Sequence, residues 1–512
     1  MSNHEDAVAT TIVAEPARAG EFLGHPRGLG TLFFTEMWER FSYYGMRALL
    51  ILYMTAAVAR GGLAFDAERA GAVYGLYTAG SYLCSLPGGW LADRLLGQRS
   101  SVFWGGVLIA IGNLLLALPA RLEVFYLGLM VIAMGTGMLK PNASCLVGEL
   151  YKGDSGSRRD SGFSIYYLGI NLGAFIAPFV AGTIGETRGY RLGFLAASIG
   201  MVIGLIQYRA TGHWLGDAGL LPQAASDAER RRSRRLLLAG LLLLAAVVVA
   251  SVSGALRLDV LELASAAGIL MGLLAVLFFG GVLGFGGLSA AERKRVAVIA
   301  VFFLSSAIFW AGYEQAGSSL NLFARDHTDR SFLGGWFASG QHPVSWYQSF
   351  QAIFILLLAP VFAWAWLALA RRNRDPSAPA KFGWGLVQLG LSFFVMMAAA
   401  SLVYTSGHRV LPGWLIVTYL LQTTGELCLS PIGLSNVTKL APERFAGQMM
   451  GTWFLGTAVG ELAAGLIGGE VASGSLATMS AQFFHMGLVG CGAGLAMLLF
   501  ARPLRSWMVG IR

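Results

Sequence analysis

The sequence predicts an all-α integral membrane protein of fourteen transmembrane helices, arranged as two six-helix bundles with two helices inserted between them. Three observations carry that expectation. Hydrophobic residues make up 55% of the 512 and charged residues only 13%, about half the charged share of a soluble domain. The polar coat a soluble protein of this length needs is missing. Fourteen stretches approach the ~20 apolar residues that a helix needs to cross a bilayer. The basic residues, finally, concentrate in alternate connections between those stretches. Glycine, at 68 residues, is about 13% of the chain against a typical ~7%, which suits helices whose backbones approach closely.

The first thirty residues (1–30) are polar, with no apolar run before a small-residue cleavage site, and are expected to remain as a cytoplasmic tail. Six spans follow within 31–211, near 31–57, 70–92, 102–120, 124–150, 162–184 and 191–211. The segment HWLGDAGLLPQAASDAERRRSR (213–234) is the most polar internal stretch and marks the boundary between the halves. It opens a region, 212–295, that holds a cytoplasmic linker and two further spans near 236–254 and 260–286. The second bundle, 296–505, has spans near 296–323, 346–370, 383–405, 413–437, 446–469 and 479–501, and 506–512 form a cytoplasmic tail. Two six-span halves related by an axis along the membrane normal place a substrate site between them at mid-membrane.

With the N-terminus inside, 25 of the 37 basic residues fall on the cytoplasmic side, from Arg18 and Arg27 through Arg230–Arg235 to Arg505 and Arg512. The opposite side receives nine: Arg60, Arg69, Arg121, Arg188, Arg191, Arg257, Arg325, Arg330 and Arg409. That asymmetry predicts cytoplasmic N- and C-termini. It also explains the net charge of +9 as a face beside anionic lipid, so no nucleic-acid partner is called for. The Arg230–Arg235 run reads as a solvated determinant of topology.

Cys84, Cys145, Cys428 and Cys491 are scattered in apolar runs without CxxC spacing. They are expected as buried free thiols, with no disulfide framework and no metal site. His485, inside a span with no carboxylate beside it in sequence, is expected as a packed core histidine. The sequons at Asn142 and Asn436 lie within or beside spans and are discounted.

Ionisable residues inside spans are costly and face cavities or partners. The first span reads TEMWERFSYYGMRALL. At ~100° per residue, Glu36, Glu39, Arg40, Tyr43 and Arg47 share one stripe about 100° wide. An ion-pair ladder accounts for Glu36 and Arg40, which have the i,i+4 spacing, but five polar members exceed what one pair needs. Lys140 (GTGMLKPNAS), Glu314 (FWAGYEQAGSS) and Glu426 (QTTGELCLSPIG) recur at the cores of other spans. Four carboxylates against three cations suit a cargo carrying both signs, together with a carboxylate that takes up a proton. A pore for one ion sign would use a ring of one sign. No P-loop, HExxH or GxSxG context occurs, so no enzyme is indicated.

Glu36-Met-Trp-Glu39-Arg40-Phe41-Ser-Tyr43-Tyr44-Gly45 resembles the ExxERFxYYG signature of the proton-coupled oligopeptide transporter family. Gly88-Gly89-Trp-Leu-Ala-Asp93-Arg94-Leu-Leu-Gly97-Gln-Arg99 is similar to the loop motif between spans 2 and 3 of major facilitator transporters. Phe163–Gly173 (FSIYYLGINLG) and Glu426–Leu434 (ELCLSPIGL) resemble further signatures of the peptide family, in order, and the resemblance runs from about 31 to 505. It implies the major facilitator fold, and fourteen spans resemble bacterial members with two helices between the halves.

The resemblance also implies roles. Arg40, Arg47 and Lys140 would form the positive side of the site, the latter two toward the peptide carboxylate. Glu426 with Asn171 would receive the amino group, and Ser430 would add a polar contact. Tyr43, Tyr44, Tyr82, Trp310, Trp453 and Phe454 would line the pockets. Glu36, Glu39 and Glu314, with Arg40, would carry the proton coupling. Arg47–Glu314 and Lys140–Glu426 would be gating salt bridges. One departure stands out: family members often have Asn-Pro where this chain has Gln351-Ala352, so Gln351 would have to reach one methylene further.

The function so implied is a proton-coupled symporter that imports di- and tripeptides across the bacterial inner membrane by alternating access. Protons are the coupling ion, no other cofactor or metal is expected, and the expected state is a monomer in the lipid bilayer. Two competing readings stay open. The same scaffold could carry another solute, such as nitrate or a peptide-like conjugate, which competition of labelled dipeptide uptake distinguishes. A peptide sensor that does not transport is the second, and the lack of a sizeable soluble domain in this sequence counts against it.

Overall fold

The structure, a computed structural model, describes residues 21–119, 121–152, 156–220, 226–255 and 259–508. Most of the expected N-terminal tail, the last four residues, and Arg18, Arg257 and Arg512 lie outside the described residues.

A short antiparallel hairpin, β1 (Glu21–Phe22) and β2 (His25–Pro26), leads into the first helix. Its turn places Leu23 and Gly24 at φ 52° and 79°. The first group of helices is α1 (Arg27–Thr55), α2 (Ala67–Leu83), α3 (Ser85–Leu91), α4 (Gln98–Ala117), α5 (Leu122–Leu150), α6 (Gly156–Ala177), α7 (Thr183–Arg188) and α8 (Tyr190–Thr211). Wider π-type turns at Ala92–Leu96 and Pro178–Gly182 interrupt this run. Then come α9 (Asp227–Val252) and α10 (Val260–Phe285). The last group is α11 (Ala290–Tyr313), α12 (Ser319–His327), α13 (Ser349–Arg371), α14 (Ala378–Ser406), α15 (Gly413–Leu440), α16 (Ala446–Ser473), α17 (Leu476–Leu499) and α18 (Ala501–Trp507).

Eleven helical segments among the described residues are long and apolar enough to cross a membrane. The three other expected spans are also helical. They are α1, with five charges along its length, the pair α2 and α3, and α15, with the polar run Gln422, Thr423, Thr424 and Glu426.

Packing separates the chain into two groups. In the first, α1 lies at the centre against α8 and α6, while α4 packs on α5 and α8. In the second, α14 packs on α15 and α17, and α11 on α16. Nearly every face of α1 is buried, the pattern of a helix enclosed on all sides. By contrast α9 is largely exposed and most of α13 is half-buried or exposed, as expected of helices whose surroundings are lipid.

The groups meet along α2 and α16, where Gly71 and Gly75 lie against Gly465 and Gly469. A Cβ added at Gly71 would come within 2.3 Å of the Gly465 carbonyl oxygen. Small residues permit this approach, as in membrane helix pairs generally. Flanking the seam, α10 places Ala264 and Met271 in a cluster with Ala72 and Ala79 of α2 and Ala458 and Leu462 of α16.

Polar contacts close the end of the molecule away from the hairpin. Asn321 donates to the Ala48 carbonyl at 3.0 Å and Arg325 to the Thr55 hydroxyl at 2.7 Å. Glu186 accepts from the backbone N–H groups of Val344 and Ser345, both at 2.8 Å. A carboxylate is well placed there, at the start of the turn that leads into α13, where backbone donors are free. Trp346 donates to Thr183 at 2.8 Å and Ser349 to the Phe175 carbonyl at 2.9 Å.

Two expectations fail. Of the four cysteines only Cys428 is buried; Cys84 and Cys491 are intermediate and Cys145 is exposed, all four as free thiols. His485, expected to pack in the core, is exposed on α17 beside Phe484. Apolar neighbours in sequence mark a span but not which face of it meets lipid.

The α2–α16 seam makes a direct prediction. Gly71→Val should force the two helices apart at a cost of about 1–3 kcal/mol and lower the unfolding temperature of the purified protein. An unchanged temperature would contradict the close approach.

Candidate functional site

The charged residues expected at helix cores converge between the two groups. On α1, Glu36, Glu39, Arg40, Tyr43 and Arg47 are all buried, so the stripe read from periodicity faces the interior along its whole length. Arg40 Nε lies 3.0 Å from Glu36 Oε1 and 3.0 Å from Glu39 Oε2. Tyr166 of α6 donates to Glu36 Oε2 at 2.6 Å. One guanidinium therefore serves two carboxylates, and a hydroxyl from a distant helix completes Glu36.

Further along α1, Arg47 Nη2 meets Glu314 Oε2 at 2.6 Å, and its Nε donates to the Tyr74 hydroxyl at 2.8 Å. Glu314 opens a 3₁₀ turn, Glu314–Gly317, that separates α11 from α12. The break presents a carboxylate where the helix is interrupted, as in the discontinuous helices of transporters. Ser318, with φ −122° and ψ −101°, donates to the Ala464 carbonyl at 3.2 Å, tying the break to α16. Arg47–Glu314, expected as a gating bridge, is thus formed and joins the two groups.

Lys140 and Glu426 are not joined in this conformation. Lys140 Nζ lies 4.1 Å from the centre of the Tyr82 ring, a cation–π contact, and Glu426 lies beside Tyr313. Neither forms an ion pair among the described residues. Arg40 and Arg47 also sit over Tyr43 and Tyr44, at 5.8 and 5.5 Å.

The remaining expected residues divide. Asn171 is buried and donates to the Tyr167 carbonyl one turn back at 2.9 Å. Gln351 is buried and donates to Gln422 at 3.4 Å, so its extra methylene is spent reaching α15. Trp310 packs against Tyr313 with ring centres 5.3 Å apart. Trp453 is buried against Gly433 and Phe382. Ser430 is half-buried on α15. Phe454 is 37% exposed, the most open of the set.

One residue of the cluster escaped the sequence reading. Glu461, in TAVGELAAG of α16, is 1% exposed and neighbours Tyr43, Tyr77, Tyr82 and Thr78. A charge inside an apolar span was the signal that would have found it. With it the core holds five carboxylates, Glu36, Glu39, Glu314, Glu426 and Glu461, against Arg40, Arg47 and Lys140.

A family profile matches residues 99–483, that of the POT family. The chain belongs to the POT family. It is 42% identical over 499 residues to the peptide transporter YePEPT of Yersinia enterocolitica, covering 95% of this chain and 96% of that one. A di-/tripeptide transporter of Lactococcus lactis subsp. cremoris is 37% identical over 505 residues, covering 96% and 98%. Among solved structures, a POT peptide transporter in complex with sulfate superposes with a TM-score of 0.88 at 40% identity, covering 97% of this chain and 98% of that one. Another, in complex with alafosfalin, gives 0.86 at 40% identity, covering 96% and 97%. The fold is therefore the major facilitator fold of POT transporters.

Within this POT site, the Arg47–Glu314 pair predicts a large effect. Arg47→Met leaves Glu314 buried and unpaired and should destabilise the protein by about 3–5 kcal/mol. Adding Glu314→Leu should recover most of that loss. A double-mutant cycle on thermal unfolding reads the coupling, and additive losses would show that the pair is not a unit.

Proposed function

We propose that this POT protein is a proton-coupled symporter that imports di- and tripeptides across the bacterial inner membrane by alternating access. The observation that carries this reading is the state of the core charges. Arg40 and Arg47 are engaged by carboxylates of the protein. Among the described residues, Lys140 and Glu426, one cation and one anion, have no ion partner of their own, which matches the two ends of a peptide. Its similarity along nearly all its length to proteins named as peptide transporters supports the same cargo.

In this reading all fourteen long helical stretches cross the membrane, in bundles of residues 31–211 and 296–505, with 212–295 as linker and inserted pair. The basic-residue asymmetry supports cytoplasmic termini. No catalytic step and no cofactor other than the proton enters the cycle, and the protein acts as a monomer.

The closed end of the present structure is then the outer one, and the Arg47–Glu314 bridge and the Glu186 clamp hold it shut. Lys140 and Arg47 face the peptide carboxylate, and Glu426 with Asn171 faces the amino group. Tyr43, Tyr44, Tyr82, Trp310, Gln351, Ser430, Trp453 and Phe454 shape the pockets. Protonation of Glu36, Glu39 or Glu314 releases Arg40 or Arg47, peptide binding favours occlusion, and inward release frees the proton. Lys140–Glu426 forms in the opposite conformation.

Reconstituted in proteoliposomes, the protein should accumulate a labelled dipeptide when an inward proton gradient is imposed. Unlabelled tripeptides should compete, and free amino acids and nitrate should not. Glu39→Gln should keep counterflow and lose accumulation. Full accumulation in that variant would sink the role of Glu39, and competition by nitrate alone would sink the peptide reading.

A further inference from the structure

Away from the charged site, a groove of about 600 Å³ is walled by α2 and α5 of the first group and by α9 and α10. It runs along α5 from Leu122 to Met134, about 18 Å at 1.5 Å per residue. That is close to the depth of one leaflet, half of a ~30 Å hydrocarbon core. At the Met134 end Cys84 lies against the backbone of Gly137, which brings α2 and α5 together and ends the groove. At the Leu122 end Ser251 of α9 and Val260 of α10 line it. Between Leu244 and Ser251 the groove separates α9 from α2 and α5, and α9 meets the first group near Ala92–Leu96.

The walls decide what can fill this space. Apart from Tyr77 and Cys84, its deep part is lined by aliphatic side chains, methionine, alanine and glycine, and a space so lined stays dry. A helix of the same length, ~10 Å wide with its side chains, needs more than twice the volume. An acyl chain fits, and the bilayer supplies it. Polar groups gather at the mouth. Glu123 and Tyr126, one turn apart on α5, both line it. Tyr126 accepts a hydrogen bond from Arg69 Nη2 at 3.4 Å, and the Arg69 guanidinium lies 4.3 Å from the centre of the Phe65 ring. Glu123 is exposed and Arg69 half-buried. Among the described residues neither forms an ion pair. One carboxylate and one guanidinium at headgroup height complement a zwitterionic phospholipid. The carboxylate favours a primary ammonium, which donates hydrogen bonds as lysine does, over a quaternary one, which donates none.

We propose that this groove is a lipid site. It takes one acyl chain of a phosphatidylethanolamine, with the ammonium at Glu123 and the phosphate at Arg69. The chain fills the space between α9 and the first group and so fastens the α9–α10 pair to α2 and α5. The lipid comes from the leaflet at the end away from the N-terminal hairpin. Naming that leaflet the outer one rests on the topology proposed above, and the site itself does not.

The test uses the full-length protein in detergent, titrated with dioleoyl phosphatidylethanolamine, phosphatidylcholine or phosphatidylglycerol and read by native mass spectrometry. Wild type should hold one phosphatidylethanolamine more tightly than either other lipid. Gly80 lines the groove, and a Cβ added there meets nothing within 4 Å. Gly80→Phe should therefore fill the groove and lose that bound lipid. Ser251→Phe, at an exposed position on the opposite wall, should do the same, and it decides the matter where Gly80→Phe is not monodisperse. Glu123→Gln should bind phosphatidylethanolamine about threefold more weakly, the scale of an exposed charge contact, with phosphatidylglycerol binding undiminished. A monodisperse groove-filling variant that keeps the lipid overturns the proposal. So does a wild type that holds none or binds all three lipids equally, and so does an unchanged phosphatidylethanolamine affinity in Glu123→Gln. Because binding is read without transport, these results stand apart from success or failure of the symport reading.

Discussion

A guanidinium and a carboxylate, Arg47 and Glu314, meet at 2.6 Å across the boundary between the two helix groups. Neither has water to fall back on: Arg47 is 1% exposed and Glu314 6%. In such a setting each charge is tolerable because of the other, and removing either leaves a cost that exceeds what the pair itself gains. The contact does more than stabilise. It turns the relative position of the two groups into an electrostatic variable, since any movement that separates them must supply new partners to both charges. The broken helix at Glu314 and the enclosed course of α1 serve this one contact, the first by presenting the carboxylate and the second by holding the guanidinium fixed.

Around that pair the site follows a rule of shared partners. Arg40 is divided between Glu36 and Glu39, Glu36 between Arg40 and Tyr166, and Arg47 between Glu314 and Tyr74. Each group is held by two others, those of Arg40 on α1 itself and those of Arg47 on α2 and the turn at Glu314. Changing the protonation of one carboxylate therefore shifts the balance at a cation that another carboxylate also uses. Charge-assisted contacts of this kind are strong in a low dielectric, which is why so few residues suffice to link distant helices.

Much of this could be read before any coordinates. Spans follow from length and apolar content, and the buried stripe of α1 follows from a period of 3.6 because all its members lie on one helix. The charges at Lys140, Glu314 and Glu426 declared themselves by being where charge is expensive. What stayed hidden has common causes. Tyr166 completes Glu36 from 130 positions away, and no local pattern encodes that. The 3₁₀ turn at Glu314 lies in EQAGSS, whose small residues are equally at home in a continuous membrane helix. Glu461 obeys the same rule that flagged the others but sits outside any familiar signature. Cys145 and His485 were misplaced because a span uniformly apolar in sequence does not say which of its sides the neighbouring helices will cover.

Helix α10 rests on both sides of the α2–α16 seam, its Ala264 and Met271 wedged against small and aliphatic residues of each. A strip laid across a joint cannot stay attached to both boards when the joint opens. As α2 and α16 part, α10 must release one of them and travel with the other, exposing to acyl chains a surface that was covered by protein. The lipid beside this seam is thereby a participant in the movement, and the thickness and lateral pressure of the surrounding bilayer become part of the work of opening it.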